Sequence, residues 1–238
     1  MAKPITNASL RQRGFGSKCR VKMITKKVIV FDLDDTLVKE IDFLKSAFHE
    51  IATLADSAHL DLFNQMMLWY TNKENVFQNL VDTYPTLELT VLKNRYRNHQ
   101  PIFEQKEQIN QLLAGLKANG HFLGIITDGY SVTQRNKIKA LEIEPLLDLI
   151  VISEEFGSEK PSVANYEIFH QFNASDYFYV ADNPSKDFVT PNKLGWQTIC
   201  LLNNGQNIHS QNFDIATDSI YLPTFKVTEI NEILNFIK

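Results

Sequence analysis

The first regular pattern in the chain is a short apolar run, Val28 to Phe31, that ends abruptly at the acidic residue Asp32. A continuous apolar run of this length is typical of a strand that is buried on both faces of a parallel sheet. Beyond residue 100, similar runs alternate with stretches of helical periodicity. The predicted strands cover residues 27–31, 122–127, 149–153, 177–181 and 197–202, and the predicted helices cover residues 104–119, 132–141, 162–172, 184–194 and 227–237. This alternation predicts an α/β fold with a doubly wound parallel sheet.

The pattern differs between about Asp42 and Asn98, where helical periodicity continues without a convincing strand. Apolar residues recur there on one helical face at positions 43, 47, 48, 51, 54 and 55. We therefore expect residues 41–99 to form a small all-helical insert after the first strand. Residues 27–40 and 100–238 would form the α/β core, with a polar stretch of undefined form at residues 203–217.

The first 26 residues form a basic leader, since the segment from Met1 to Lys27 holds eight lysines and arginines and no acid. It has neither an apolar stretch nor a periodicity, so we interpret it as disordered; a nucleic-acid-binding arm and an organelle-targeting peptide are the alternatives. The composition, 44% hydrophobic and 22% charged, is ordinary for a soluble protein. With two distant cysteines and no long apolar run, we expect a cytoplasmic protein without a membrane or nucleic-acid partner.

Polar residues follow four of the predicted strands at the point where each strand ends. They are Asp32, Asp34, Asp35 and Thr36 in the first loop, Thr127, Asp128 and Gly129 in the second, Lys160 in the third, and Asp182 and Asp187 in the fourth. A single acid at a strand end is usually a turn residue or a helix cap. In a parallel sheet, however, all of these ends meet at the edge where ligands bind. The set therefore indicates a functional site.

These four segments resemble, in order, the four motifs of the haloacid dehalogenase (HAD) superfamily: Asp32-Leu33-Asp34-Asp35-Thr36, Thr127-Asp128-Gly129, Lys160-Pro161, and Asp182 with Asp187. The resemblance covers roughly Val28 to Leu202. One departure is Ala181, where a glycine commonly precedes the aspartate. The resemblance implies a HAD Rossmann-like core with an all-helical cap of the C1 type. It also implies a phosphomonoester hydrolase that acts on a small phosphorylated metabolite, with a sugar phosphate as one candidate.

The resemblance also implies a role for each residue. Asp32 would attack phosphorus and form an aspartyl-phosphate, and Asp34 would act as the general acid and base. Thr127, Lys160 and the backbone amides of Leu33 and Asp128 would bind the phosphoryl group. The cofactor would be Mg²⁺, held by Asp32, Asp182 and the backbone carbonyl of Asp34, with Asp187 orienting these ligands. Asp35 is assigned to turn structure. Arg95 and Arg97, near the end of the insert, are candidates for substrate contacts.

Two alternatives remain open beside the hydrolase. A phosphotransferase such as a sugar phosphomutase shares the core motifs. A non-enzymatic phospho-accepting signalling domain also uses a strand-end aspartate, an acid pair and a lysine, but it needs neither Asp34 nor the helical insert. Within the superfamily, an aspartate at position 34 argues against dehalogenases, phosphonate-cleaving members and transport ATPases, which carry tyrosine, alanine and threonine there. The sequence does not predict an oligomeric state.

Overall fold

A computed structural model describes residues 25–56, 61–211, 213 and 218–237. The predicted disordered leader, residues 1–26, therefore lies almost wholly outside the described residues. Within the described part of the chain, no helix is long and apolar enough to cross a membrane.

In the described part of the chain, six parallel strands form one sheet in the order β3-β2-β1-β4-β5-β6. Their bounds are β1 Lys27–Phe31, β2 Phe122–Thr127, β3 Leu149–Ile152, β4 Asp176–Ala181, β5 Gln197–Leu201 and β6 Phe225–Val227. The strand order reverses at β1, which pairs with β2 on one side and β4 on the other. This confirms the predicted doubly wound sheet and places the ends of β1 and β4 at its switch point.

The central strand is buried on both faces, and its residues alternate between two apolar clusters. Ile29 and Phe31 pack in one cluster together with α5 (Lys106–Ala118) and α6 (Ser131–Leu141), whereas Val28 and Val30 pack in the other with aromatic residues such as Phe169. This two-residue period follows from the strand geometry. The helices of the core are α5 Lys106–Ala118, α6 Ser131–Leu141, α7 Ser153–Phe156, α8 Ala164–Glu167 and α9 Val189–Lys193.

Among the described residues, the segment that follows β1 forms four helices before α5, as the periodicity predicts. They are α1 Glu40–Ala55, α2 Leu62–Thr71, α3 Val76–Thr83 and α4 Leu89–Asn98. These helices have an apolar cluster of their own, which includes Phe48, Met66 and Leu80. Helix α1 contributes to two clusters, because Phe43 and Ala47 pack with the sheet while Leu44 and Phe48 pack inside the helical insert. Helix α1 thus packs the insert against the sheet.

The predicted helix at residues 227–237 is wrong in its first part. Residues Phe225–Val227 form the edge strand β6, which pairs with β5, and a 3₁₀ helix follows at Ile230–Asn235. A reciprocal capping box between Glu229 and Glu232 explains the boundary, because it begins the helix at Ile230 and leaves Val227 free to pair.

Two further predicted helices are shorter than expected. The helix at residues 162–172 becomes α8 followed by a 3₁₀ segment, Ile168–Phe172. The helix at 184–194 begins at Val189, because side chains fold the preceding residues into a turn: Asn183 Oδ1 accepts from the Ser185 N–H at 3.0 Å, and Asp187 Oδ2 accepts from the Asn183 N–H at 3.2 Å. Such side-chain turns compete with helix formation.

Two glycines test this packing. At Gly124 in β2, a methyl group would overlap the Phe169 ring and lie 3.1 Å from the Leu149 carbonyl oxygen, whereas at Gly115 in α5 it would meet nothing within 4 Å. We expect Gly124→Ala to lower the free energy of unfolding by about 1–3 kcal/mol through overpacking. We expect Gly115→Ala to raise it by about 0.5–1 kcal/mol. Urea unfolding followed by circular dichroism measures both, and an equal response of the two variants would contradict the assigned packing.

Candidate active site

The loop after β1 begins at the sheet's switch point and turns sharply. The Asp32 N–H donates to the Val180 carbonyl at 2.9 Å, which extends the pairing of β1 with β4 by one residue. The buried Asp32 carboxylate accepts a hydrogen bond from the Leu33 N–H at 2.8 Å. Leu33 is itself fully buried. The backbone therefore holds Asp32 at the sheet edge with its carboxylate directed into the protein.

Asp35 stabilises the turn that follows β1. Its backbone φ is 55°, in the left-handed region that aspartate tolerates better than most residues. Its carboxylate accepts from the Glu40 N–H at 3.1 Å and from the Ile208 N–H at 2.9 Å. Asp35 thus ties the start of α1 and the loop after β5 to the first turn, in agreement with the structural role expected from the sequence.

Three carboxyl groups from two loops meet at the ends of β1 and β4. Oxygen atoms of Asp32, Asp182 and Asp187 lie within 4.8 Å of one another, and all three residues are buried. Lys160 Nζ lies 2.8 Å from Asp32 Oδ1 and 2.9 Å from Asp187 Oδ1, and it donates to the Tyr179 hydroxyl at 3.3 Å. Among the described residues, Lys160 is the cation within ion-pair distance of these carboxyls.

The electrostatics of this cluster follow from its burial. Burial raises the pKa of Asp32 to about 7, although the charge of Lys160 opposes the shift. Burial, with the charges of Asp32 and Asp187, raises the pKa of Asp182 to about 8. For Lys160 burial acts to lower the pKa, but the charges of Asp187 and Asp32 outweigh it and raise the pKa well above its ordinary value. With all three carboxyls ionised, the cluster would carry more negative charge than its lysine neutralises, and the pKa values of Asp32 and Asp182 are raised accordingly.

This donor set fits Mg²⁺, which prefers hard oxygen ligands and neutralises surplus carboxylate charge. The Asp187 carboxyl lies within 4.8 Å of those of Asp32 and Asp182. Its orienting role stays a prediction. The Asp34 carboxylate is not part of this set. That Asp34 offers its backbone carbonyl stays a prediction.

The second, third and fourth loops are joined through Asp128. Its Oδ1 accepts from the Lys160 N–H at 3.0 Å, and its Oδ2 pairs with Lys186 Nζ at 3.0 Å. The carboxylate of Asp128 is therefore occupied, which leaves its backbone amide as the group for the predicted phosphate contact. Thr127 is buried beside it, and its hydroxyl oxygen lies 2.5 Å from Gln134 Nε2.

The Asp34 carboxylate contacts α6 and is not part of the carboxyl cluster, although Asp34 stands two residues after Asp32. Its Oδ1 pairs with Lys137 Nζ, and its Oδ2 accepts from Gln134 Nε2 at 2.9 Å. Sequence reasoning missed Gln134 and Lys137. The sequence feature that could have identified them is their position on the face of α6 that the apolar pattern assigns to the core. Both residues are 2% exposed and contact Asp34 rather than solvent.

The polar stretch after β5 also supplies residues that the sequence did not single out. Asn207 Nδ2 donates to Asp182 Oδ2 at 2.8 Å, and Lys39 Nζ donates to Asn207 Oδ1 at 2.6 Å. Gln211 Nε2 donates to the Asp182 and Leu201 carbonyls, each at 2.7 Å. This segment therefore holds both the carboxylate and the backbone carbonyl of Asp182. An undefined polar loop gives no periodicity from which these contacts could be predicted.

A cavity of about 330 Å³ lies between the helical insert and the sheet edge. Asp34 and Lys137 line it from the core, and Lys93, Tyr96 and Arg97 line it from α4. The Arg97 guanidinium stacks 3.7 Å from the centre of the Tyr130 ring and donates to the Tyr130 hydroxyl at 2.7 Å.

The structure separates the two predicted cap arginines. Arg95 is absent from the lining of this cavity, and its side chain, 55% exposed, pairs with Glu50 at 3.5 Å. Arg97 is thus placed at the candidate substrate cavity, whereas Arg95 lies on the outer surface of the insert.

A family model described as haloacid dehalogenase-like hydrolase matches residues 29–201. The chain is 28% identical to a glyceraldehyde 3-phosphate phosphatase of Methanocaldococcus jannaschii, over 74% of this chain and 85% of the relative. It is 27% identical to the enzyme of the same name from Pyrococcus abyssi, over 73% and 80% of the two chains. The fold is similar to that of a HAD-hydrolase of Bacillus subtilis bound to magnesium, with a TM-score of 0.62 at 17% identity, over 90% of this chain and 99% of the other.

The raised pKa values predict how stability depends on pH in a metal-free buffer. Between the ordinary aspartate pKa of 3.8 and the value of about 8 for Asp182, the folded state binds protons that the unfolded state has released. Because the folded state binds more protons, the free energy of unfolding falls as pH rises through this window. We expect the melting temperature in a chelating buffer to fall between about pH 5 and about pH 8.

Asp182→Asn is the matched control, since an asparagine at this position is neutral at every pH. The difference in melting temperature between the wild type and this variant should become less favourable to the wild type as the pH rises. Differential scanning calorimetry measures both proteins in the same buffers. A difference that stays constant, or that moves in favour of the wild type, would contradict the assigned electrostatics.

Proposed function

Because the chain belongs to the haloacid dehalogenase-like hydrolases, we propose that it is a Mg²⁺-dependent phosphatase that hydrolyses a small phosphorylated metabolite through an aspartyl-phosphate. The main observation behind the proposal is that two aspartates of the same loop lie in different surroundings. Asp32 lies in the buried cluster with Lys160, Asp182 and Asp187, and Asp34 lies at the wall of a separate cavity.

Asp32 is the proposed nucleophile. A phosphate monoester repels an anionic nucleophile, so attack requires charge neutralisation and a fixed geometry. Lys160 supplies positive charge at 2.8 Å from the Asp32 carboxylate. Asp32, Asp182 and the backbone carbonyl of Asp34 would hold Mg²⁺, with Asp187 orienting them. When bound, the cation would offset the charge between the Asp32 carboxylate and the phosphoryl group.

The phosphoryl group would lie at the ends of β1 and β2. The Thr127 hydroxyl and the backbone amides of Leu33 and Asp128 would donate to its oxygens, as donors placed where charge develops. Asp34 would protonate the oxygen of the leaving alcohol as the bond to phosphorus breaks. It would then accept a proton from the water that hydrolyses the aspartyl-phosphate and returns Asp32 to its free form.

We propose a sugar phosphate or a related short phosphorylated aldehyde as the substrate class. A cavity of about 330 Å³ suits a small leaving group, and Asp34 reaches its wall. Lys93 and Arg97 supply donors for the carbonyl and hydroxyl oxygens of such a group. Several relatives at 22–28% identity have the name glyceraldehyde 3-phosphate phosphatase, which makes glyceraldehyde 3-phosphate the first compound to test.

The full-length protein should release inorganic phosphate from glyceraldehyde 3-phosphate in the presence of Mg²⁺, and chelation should abolish the release because the carboxyl cluster would lack its cation. Asp32→Asn should abolish turnover, since an amide is a poor nucleophile. Asp176→Asn, at the opposite end of β4, is the matched control and should leave turnover unchanged. Phosphate release and mass spectrometry of the acid-quenched enzyme are the measurements.

Each outcome of that experiment has one interpretation. Phosphate released in equal amount to the substrate consumed supports hydrolysis, whereas a rearranged phosphate ester with no free phosphate would support the mutase. Undiminished turnover after thorough chelation would refute the metal requirement. A phosphorylated residue other than Asp32 would refute the assigned nucleophile.

The contrast between Arg97 and Arg95 tests whether the cavity binds the leaving group. Arg97→Met should reduce kcat/KM for glyceraldehyde 3-phosphate by roughly tenfold, the equivalent of about 1.4 kcal/mol, and should affect nitrophenyl phosphate less because that ester lacks the matching polar groups. Arg95→Met, the same change two residues away on the outer surface, should leave both values nearly unchanged. Equal losses for the two variants would show that substrate specificity lies elsewhere.

A further inference from the structure

Helix α6 supplies donors to both oxygens of the Asp34 carboxylate. Lys137 Nζ lies 2.5 Å from Oδ1, and Gln134 Nε2 lies 2.9 Å from Oδ2. Gln134 and Lys137 are three residues apart, so they project from the same face of the helix. The carboxyl group is therefore held at both ends, which fixes the rotation of its plane as well as its direction.

Both donors are themselves held in place by buried contacts. The Lys137 ammonium lies 4.7 Å from the centre of the Phe43 ring, and its side chain is 3% exposed. Gln134 Nε2 also lies 2.5 Å from Thr127 Oγ1 and 3.2 Å from the Asp128 carbonyl oxygen. The amide thus joins the first loop to the second. Burying a charged lysine is costly unless it is paired, and its partner here is Asp34.

We propose that Gln134 and Lys137 are positioning residues that hold the Asp34 carboxyl in the orientation required for proton transfer to the leaving group. The proposal rests on the phosphatase function proposed above. In the step concerned, a bond forms between Asp32 and phosphorus while the bond from phosphorus to the leaving oxygen breaks. The carboxyl form of Asp34 transfers its proton to that oxygen, which departs as a neutral alcohol, and the carboxylate left behind is the form that pairs with the Lys137 ammonium. Proton transfer of this kind requires hydrogen-bond distance and alignment, and both are lost if the carboxyl rotates freely.

A series of phosphate esters measures this role directly. Dinitrophenyl phosphate has a leaving group that departs without a proton, nitrophenyl phosphate is intermediate, and phenyl phosphate needs the acid most. The value of kcat/KM reports the steps up to departure of the leaving group. Lys137→Met keeps the length and apolar body of the side chain, and Gln134→Met is a second variant that removes the other donor. Lys139→Met, the same change at an exposed position on α6, is the matched control.

We expect Lys137→Met and Gln134→Met each to reduce kcat/KM for phenyl phosphate by tenfold or more and for dinitrophenyl phosphate by less than threefold, within the range that general acid catalysis spans. Lys139→Met should change neither. In an Asp34→Asn background, Lys137→Met should cause little additional loss for phenyl phosphate, because residues that act through one another are not additive. Circular dichroism and melting temperature confirm that each variant is folded.

The outcomes separate this proposal from the function on which it rests. A wild-type protein that hydrolyses none of these esters and no metabolite phosphate would refute the phosphatase function. A wild-type protein that hydrolyses them, with folded variants that lose activity equally for all three esters or additively with Asp34→Asn, would refute the positioning role alone. A loss confined to the poor leaving groups in both variants would support it.

Discussion

The structure of the candidate site depends on the burial of three carboxyl groups around Lys160 at the switch point of the sheet. Asp32 and Asp182 are placed there by β1 and β4, and Asp187 is placed there by the turn that follows Asp182. Lys160 pairs with two of the three and is 1% exposed in its side chain. Such a concentration of charge is stable only if the surrounding polar groups are fixed, because each unpaired buried charge costs several kcal/mol.

The loops around the cluster supply those polar groups from every side. Asp128 binds the backbone of Lys160 and the side chain of Lys186, which joins the ends of β2, β3 and β4. Asn207 and Gln211 hold Asp182 through its carboxylate and carbonyl groups. Asp35 connects the same segment to the first turn through the Ile208 N–H. The site is thus a cross-linked set of loops on a rigid sheet, which is the arrangement that precise positioning requires.

The sequence predicted the parts of this site that are local to one strand end. Asp32, Thr127, Lys160 and Asp182 follow apolar runs that could be recognised from their length, and the sheet brings them together as the alternation of strands and helices predicts. Periodicity also located the helical insert. The contacts of Asp34 could not be predicted in this way, since Gln134 and Lys137 lie about 100 residues away in the chain and are adjacent only after β1 and β2 pair.

The errors at the C-terminus have a different physical cause. The apolar spacing of residues 227–237 is compatible with a helix, and the competing strand at Phe225–Val227 forms because β5 offers an unpaired edge. Pairing with an edge depends on a partner distant in the sequence, which a local pattern does not report. Strand β6 is also connected to the site, because Val227 pairs with Leu201, and the Leu201 carbonyl accepts from Gln211.

Helix α6 connects the chemistry of Asp34 to the helical insert. Beside the two donors to Asp34, it carries Thr133, whose hydroxyl donates to the Arg97 carbonyl at 3.0 Å, and Asn136, whose amide donates to the Asn98 and His99 carbonyls at 3.1 Å each. These three carbonyls belong to the end of α4 and the segment by which the chain leaves the insert. Packed helices move as rigid bodies rather than bending continuously. A displacement of α6 would therefore change the position of the insert and the orientation of the Asp34 carboxyl together. The same helix thus positions both the α4 wall of the cavity and the proton donor that faces it.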